Sequence, residues 1–154
     1  MSRATPANNL YPKSYLYHRL VKAKLFIDNH YHNAIDLNNI AATAHFSKFH
    51  FIRLFKSIYG KSPHQYLIQV RIDHAKELLK HKHSVADTCY KVGFDSITSF
   101  TGLFRKNTGT TPSSFQKQYQ LRQEKIKAAP LSFIPNCFAE QKGWIRNSNF
   151  QELL

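Results

Sequence analysis

Phe49, Ile52, Arg53 and Lys56 recur at i, i+3, i+4 and i+7 within S-K-F-H-F-I-R-L-F-K-S-I-Y-G-K-S-P, residues 47–63. That spacing sets them on one face of a helix. Two cations beside two bulky apolar side chains make a poor solvated surface. They suit the edge of a base pair, where a guanidinium grips guanine and an apolar group meets a thymine methyl. The alternative for this stretch alone is a core helix with a mixed outer face. Phe51, Leu54, Phe55 and Ile58 form the opposing apolar face. Ser47 suits an N-cap and Gly60 the left-handed residue that ends a helix, which bounds the helix at 48–59.

A second copy sharpens the choice. Residues 96–112 read S-I-T-S-F-T-G-L-F-R-K-N-T-G-T-T-P. A shift of 49 brings Ser47, Phe51, Leu54, Phe55, Gly60, Pro63 and Tyr66 onto Ser96, Phe100, Leu103, Phe104, Gly109, Pro112 and Phe115. Upstream the shift is 48, pairing Leu37 with Val85, Ala41 with Cys89, Ala44 with Val92 and Phe46 with Phe94, so one extra residue sits in the second turn near Asp95. Capping residues in register with the apolar ones mark a tandem array of two similar helical units.

The elements that must hold these faces follow from the same periodicity. A helix from about Ser14 to His30 carries Leu16, Leu20, Ala23 and Ile27 on one stripe. Asp36 caps a short helix from Leu37 to Ala44, whose buried face is Leu37, Ile40, Ala41 and Ala44, and His45-Phe46 turns into helix 48–59. A short helix, a tight turn and a longer helix make a helix-turn-helix. Ser62-Pro63 starts a long helix to about Lys80 with Tyr66, Leu67, Val70, Ala75, Leu78 and Leu79. Ser84 with Asp87 resembles a capping box for Val85–Val92. Gly93 supplies the next turn, helix 97–108 follows, and Thr111-Pro112 begins a last helix to about Lys127. The expected class is all-α: two helix-turn-helix subdomains, about 37–59 and 85–108, joined by a linker helix at 63–80. Residues 1–13 read as a loose arm. Beyond Ala128 the pattern stops, and residues 123–154 form a helix end and a tail with Phe133, Phe138, Trp144 and Phe150 that packs on the domain or on a partner protein.

Composition narrows the partner. The 154 residues carry 22 Lys and Arg against 9 Asp and Glu, a net charge of +13. Such a balance points to a polyanion, nucleic acid before an anionic membrane. No apolar segment near Met1 reads as a signal and no run is long enough to span a bilayer, so a cytosolic protein is expected. Cys89 and Cys137 make no metal or disulfide framework, and Cys89 sits where the repeat wants a small buried residue, as a reduced core thiol. The histidines of His30-Tyr31-His32 and His81-Lys82-His83 invite a metal. An H-x-H pair at a helix end points its rings apart, and no Cys or carboxylate cluster completes a tetrahedral site. No nucleophile has a base at a diagnostic spacing. No enzyme, metal or cofactor is expected.

The string I-A-x-x-A-x-F-S-x-x-x-F-x-R-L-F-K-x-x-x-G-x-S-P-x-x-Y, then R-I-x-x-A-x-x-L-L at 71–79 and V-G-F-x-S-x-x-x-F at 92–100, resembles the AraC/XylS-type transcription regulators over about residues 20–121. The resemblance implies that both recognition helices enter successive major-groove segments on one face of double-stranded DNA. It implies a transcription regulator, with RNA polymerase as a further partner and a bacterial nucleoid-associated location. Most such regulators add an effector domain of β structure. This chain resembles the short, stand-alone form. Carried across, the base-reading positions are Phe49, Ile52 and Arg53 in the first helix and Ile97, Thr98 and Thr101 in the second. Lys48, Lys56, Lys61, Arg105 and Lys106 fall beside the phosphate backbone. Helix starts at Ser47, Ser62, Ser96 and Thr111 offer N–H groups to phosphates. Gly102 departs from the family pattern, which often has a large basic side chain there, and the second half therefore demands less of the sequence. A rival reading is a basic adaptor or nucleoid-like protein with little sequence specificity. Gly102 and the weakly polar second helix favour it. Phe49, Ile52 and Arg53 oppose it.

Overall fold

The computed structural model describes residues 14–43, 47–135 and 141–142. Its helices are α1 (Ser14–His30), α2 (Leu37–Thr43), α3 (Lys48–Tyr59), α4 (Pro63–Lys80), α5 (Val85–Lys91), α6 (Ile97–Thr108) and α7 (Pro112–Ala128), and the described residues contain no strand. The expected all-α class and the element order are therefore what the chain adopts. Ala44 and the His45-Phe46 turn, the arm at 1–13, and Phe138, Trp144 and Phe150 lie outside the described residues. Where the sequence pattern was expected to stop, Pro130–Phe133 add one turn of 3-10 helix. No helix among the described residues is long and apolar enough to cross a membrane.

Two cores form, one per unit. Leu20, Ala23 and Ile27 of α1, Ile40 and Ala41 of α2, Phe51 and Phe55 of α3 and Leu67 of α4 make the first. Ile72, Ala75 and Leu79 of α4, Cys89 and Val92, Phe94, and Phe100 and Phe104 of α6 make the second. The long helix thus has two apolar faces. Tyr66, Leu67 and Val70 turn to the first core, and Ile68, Ile72, Ala75 and Leu79 to the second. Ile72, buried completely, stood outside the residues expected to pack, because a single-stripe reading of α4 cannot show a second stripe. At 1.5 Å per residue α4 is roughly 27 Å long, enough to serve both units.

The repeat holds in three dimensions at the level of ring geometry. Phe51 and Phe55 meet edge-on at 5.5 Å and 60°, Phe100 and Phe104 at 5.7 Å and 66°. Phe55 meets Tyr66 at 5.7 Å, and Phe104 meets Phe115 at 5.6 Å. One expected member of the first core is misplaced. Ile58 is 41% exposed. The inner row runs Phe51, Phe55, Tyr59, since Tyr59 tilts onto Phe55 at 4.5 Å and takes the last turn's inward place.

The helix ends show why the chain breaks where it does. Gly60 and Gly109 end α3 and α6 in the left-handed region, each N–H closing on a carbonyl four residues back. Ser62 and Gln65 form a full capping box at Pro63. At Ser84 only half of the expected box forms. Its hydroxyl accepts from the Asp87 N–H, but the Asp87 carboxylate turns to Lys91 and His83 instead. Those two partners, Lys91 first, hold the Asp87 carboxyl below its ordinary pKa. Ser47 takes the extended cap backbone without a side-chain cap bond, contrary to the cap expected there.

Cross-links between the units come from polar groups. Tyr66 O–H donates to Asp28 Oδ1 at 2.9 Å and Lys24 Nζ to Asp28 Oδ2 at 2.7 Å, tying α1 to α4. Arg71 of α4 donates from Nε to Tyr31 O at 2.7 Å and from an η nitrogen to Asn33 O at 2.9 Å. The same guanidinium lies 5.4 Å from the centre of the Phe94 ring. Burial lowers its pKa and the Asp95 carboxylate opposes that shift. Gly93, at φ +90°, rests against Tyr31 O, which Arg71 also holds, and against His32 O. A Cβ there would lie 2.8 Å from His32 O and 2.9 Å from Tyr31 O, so only glycine fits. Gln116 of α7 repeats the device in the second unit, donating to Leu79 O at 3.1 Å and His83 O at 2.7 Å.

Two stability changes of opposite sign follow. Arg71→Ala is expected to lower stability by about 1.5–3 kcal/mol, the range for hydrogen bonds made by a charged group. Thr88, fully buried where the first unit has Ile40, has an Oγ1 with no hydrogen-bond partner among the described residues. Thr88→Val keeps the shape and is expected to raise stability by about 1 kcal/mol. Urea unfolding followed by far-UV circular dichroism measures both.

Candidate nucleic-acid interface

With Phe51 and Phe55 fixed inward, the geometry of α3 leaves Lys48, Phe49, Arg53 and Lys56 exposed and Ile52 half-buried at the edge of the core. Phe49 is the extreme case, 79% exposed in the first turn of the helix. Arg53 and Lys56 make no ion pair or hydrogen bond among the described residues. An aromatic ring this open beside unpaired cations is a surface prepared for a partner rather than for water.

In α6, Phe100 and Phe104 fix the inward side in the same way. Ile97, Thr98 and Gly102 face outward, Thr101 is half-buried, and Arg105 and Lys106 are exposed beyond them without an ion pair among the described residues. Under the 49-residue shift Thr98, Thr101, Gly102 and Arg105 occupy the places of Phe49, Ile52, Arg53 and Lys56. The structure therefore brings the six side chains read as base-facing onto two outward helix faces, each followed by cations. The second face has no guanidinium in the position of Arg53.

The positions read as phosphate-binding differ among themselves. Ser47 keeps its hydroxyl clear of the helix, since no cap bond engages it. Ser96 accepts from the Ser99 N–H at 3.4 Å. Ser62 is half-buried and its N–H is already given to Gln65 Oε1 at 2.9 Å. That N–H is closed to a phosphate, which corrects the expectation for this helix start. At the other junction Thr111 accepts from the Ser114 N–H at 3.3 Å and donates its own proton to Ser114 Oγ at 3.0 Å. Lys61 is exposed and its Nζ reaches Gln69 Oε1 only at 3.4 Å.

Histidines and cysteine take structural places. His30 and His81 each set Nδ1 on the carbonyl four residues back, at 2.9 and 2.8 Å. His83 Nδ1 pairs with Asp87 at 3.0 Å. Among the described residues no group of three His, Cys, Asp or Glu is placed to hold a metal. Cys89 is a free, buried thiol whose pKa is pushed up by burial and then by Asp95. Cys137 lies outside the described residues.

Arg71 heads the string at 71–79 but was given no role from the sequence, and Gln116 was not singled out. Neither touches the outer faces, but together they fix the turns behind them. Their signal was weak, because the two are not equivalent in the repeat: a shift of 49 sends Arg71 to Gln120.

A helix-turn-helix domain family profile matches residues 40–118. An HTH-type transcriptional regulator of the cgkA 5′ region in Pseudoalteromonas carrageenovora is 35% identical over 97 residues, covering 63% of this chain and 58% of that protein. The MmsAB operon regulatory protein of Pseudomonas aeruginosa is 34% identical over 94 residues, covering 60% of this chain and 31% of its own. The chain thus spans between about a third and three fifths of the length of these relatives. Among solved structures, the DNA-binding domain of AdpA, a global transcriptional factor in complex with a target DNA, superposes with a TM-score of 0.66. It is 31% identical, covering 69% of this chain and 96% of that one.

Gly102 offers a clean test that its face is open. A Cβ at Gly102 meets nothing within 4 Å, and a mid-helix glycine costs about 0.8–1 kcal/mol against alanine. Gly102→Ala is expected to raise the melting temperature by a few degrees, as measured by differential scanning calorimetry.

Proposed function

The chain belongs to the AraC/XylS-type helix-turn-helix family, and on that premise we propose that it binds double-stranded DNA sequence-specifically and regulates transcription. Helix α3 enters one major-groove segment and α6 the next on the same face of the duplex. The observation that carries this is the pair of outward faces held by one shared helix. Each exposes apolar or hydroxyl side chains at its start and unpaired cations further along, Lys56 on α3 and Arg105 and Lys106 on α6. The net charge of +13 supplies attraction to phosphates. The AdpA DNA-binding domain, seen in complex with a target DNA, supports DNA as the partner.

Within this reading Arg53, Phe49 and Ile52 meet bases in the first segment, and Ile97, Thr98 and Thr101 in the second. Lys48, Lys56, Arg105 and Lys106 meet phosphates, with the hydroxyls of Ser47 and Ser96 and the side chain of Lys61 beside them. The chain acts as a binding module and catalyses nothing. Contact with RNA polymerase and residence on the nucleoid belong to the same proposal and rest on family membership, while a protein partner for residues 123–154 rests on the aromatic side chains in that stretch of sequence.

Arg53 and Lys56 separate base reading from phosphate holding. Arg53→Ala should cost about 1–3 kcal/mol and relax preference mainly at one base pair. Lys56→Ala should weaken all duplexes about equally. Contact with about six to eight phosphates gives a log–log salt slope of roughly −5 to −7. Site selection followed by anisotropy titration over a salt series measures all three. Equal losses across every duplex for both variants, or a slope near zero, would remove α3 as the reader.

A further inference from the structure

The proposed reading helices carry an unusual set of side chains. Apart from Arg53, every base-facing residue presents carbon, the threonines beside a hydroxyl: the ring of Phe49, the branched chains of Ile52 and Ile97, and the methyls of Thr98 and Thr101. Phe49 and Ile97 are 79% and 40% exposed, in the first turns of α3 and α6. In the major groove only one base feature rewards such groups, the methyl on C5 of thymine. A 5-methylcytosine would place the same methyl at the same depth.

Gly102 points the same way. Its φ is not in the left-handed region and no neighbour would meet its Cβ, so neither backbone nor packing requires glycine. What it does is leave the outer surface of α6 low between Thr98, Thr101 and Arg105. A helix without a side chain there can lie close to the groove floor. Short threonine methyls then reach base edges that a taller face would hold at a distance.

We propose that this chain selects its DNA chiefly through pyrimidine C5-methyl groups, read by Phe49 and Ile52 in one half-site and by Ile97, Thr98 and Thr101 in the other. Arg53 adds one guanidinium contact and sets the register. The inference rests on the sequence-specific reading above and names what that reading recognises. Both half-sites are then rich in T·A pairs, and the second contains no guanine held by a charged side chain.

The experiment uses the full chain and the duplex it enriches from a random pool, titrated by anisotropy at fixed salt. Each thymine is replaced singly by deoxyuridine, which removes the methyl and keeps every hydrogen-bonding group. At least one position in each half-site should lose roughly fourfold in affinity, the worth of one buried carbon. At those positions a 5-methylcytosine·guanine pair should bind more tightly than cytosine·guanine, which separates methyl recognition from recognition of the T·A pair. Phe49→Ala should abolish the deoxyuridine penalty in the first half-site only, and Thr98→Ser in the second only. Both side chains are exposed, and thermal melts confirm that the variants fold. Unchanged binding to every deoxyuridine duplex, with the enriched sequence still preferred over a scrambled one, overturns the methyl inference and leaves sequence-specific binding intact. Enrichment of no sequence at all overturns both.

Discussion

The Arg71 guanidinium bridges turns from the two halves of this protein. Arg71 leaves the middle of α4, takes the carbonyls of Tyr31 and Asn33 from the turn after α1, and lies over Phe94 in the turn before α6. Its half-buried charge is tolerated because carbonyl oxygens solvate it and Asp95 opposes the desolvation. Gly93 lets the second turn close onto Tyr31 O and the neighbouring His32 O. The extra residue in the second unit falls here, near Asp95. The insertion that breaks the repeat is thus found where the two units meet, and it helps place a carboxylate near the cation between them.

Rigid placement of two helix faces matters because DNA has a fixed pitch. Recognition helices contribute together only if their separation matches successive groove segments, about 34–36 Å along the duplex. A shared helix with an apolar stripe toward each core supplies the rigidity. The ring ladders inside each unit, equal to within a few tenths of an ångström, keep α3 and α6 alike in seating. Packing constrains the inner faces so tightly that the two copies have kept it. The outer faces carry no such constraint and have diverged, from Phe49, Ile52 and Arg53 to Thr98, Thr101 and Gly102.

Charge and shape then do separate work. Exposed Lys48, Lys56, Arg105 and Lys106, without an ion pair among the described residues, attract any polyanion. Several acidic groups are taken up by neighbours outside α3 and α6: Asp28 by Lys24 and Tyr66, Asp73 by Lys76 and Gln69, Asp87 by Lys91 and His83. Local neutralisation of this kind leaves the recognition helices basic without a competing carboxylate in either.

Composition and periodicity determined a great deal unaided. The apolar 3.6 repeat, the Gly60 and Gly109 stops, the Ser62-Pro63 and Thr111-Pro112 starts and the tandem register mark the seven α-helices of the described residues and the inward and outward sides of α3 and α6, because these are short-range preferences that each segment expresses by itself. Tertiary structure decided what no segment can know about another. Tyr59 displaced Ile58 from the core because Tyr66 of α4 meets it beside Phe55 of its own helix. Ile72 became the centre of a second stripe only once the second unit packed on α4. Arg71 and Gln116 hold corresponding turns from positions that do not correspond. An arginine reaches Tyr31 O from one turn further along α4, and a shorter glutamine reaches Leu79 O from nearer the start of α7. Side-chain length and helix placement settle which donor meets which carbonyl, and both exist only in three dimensions.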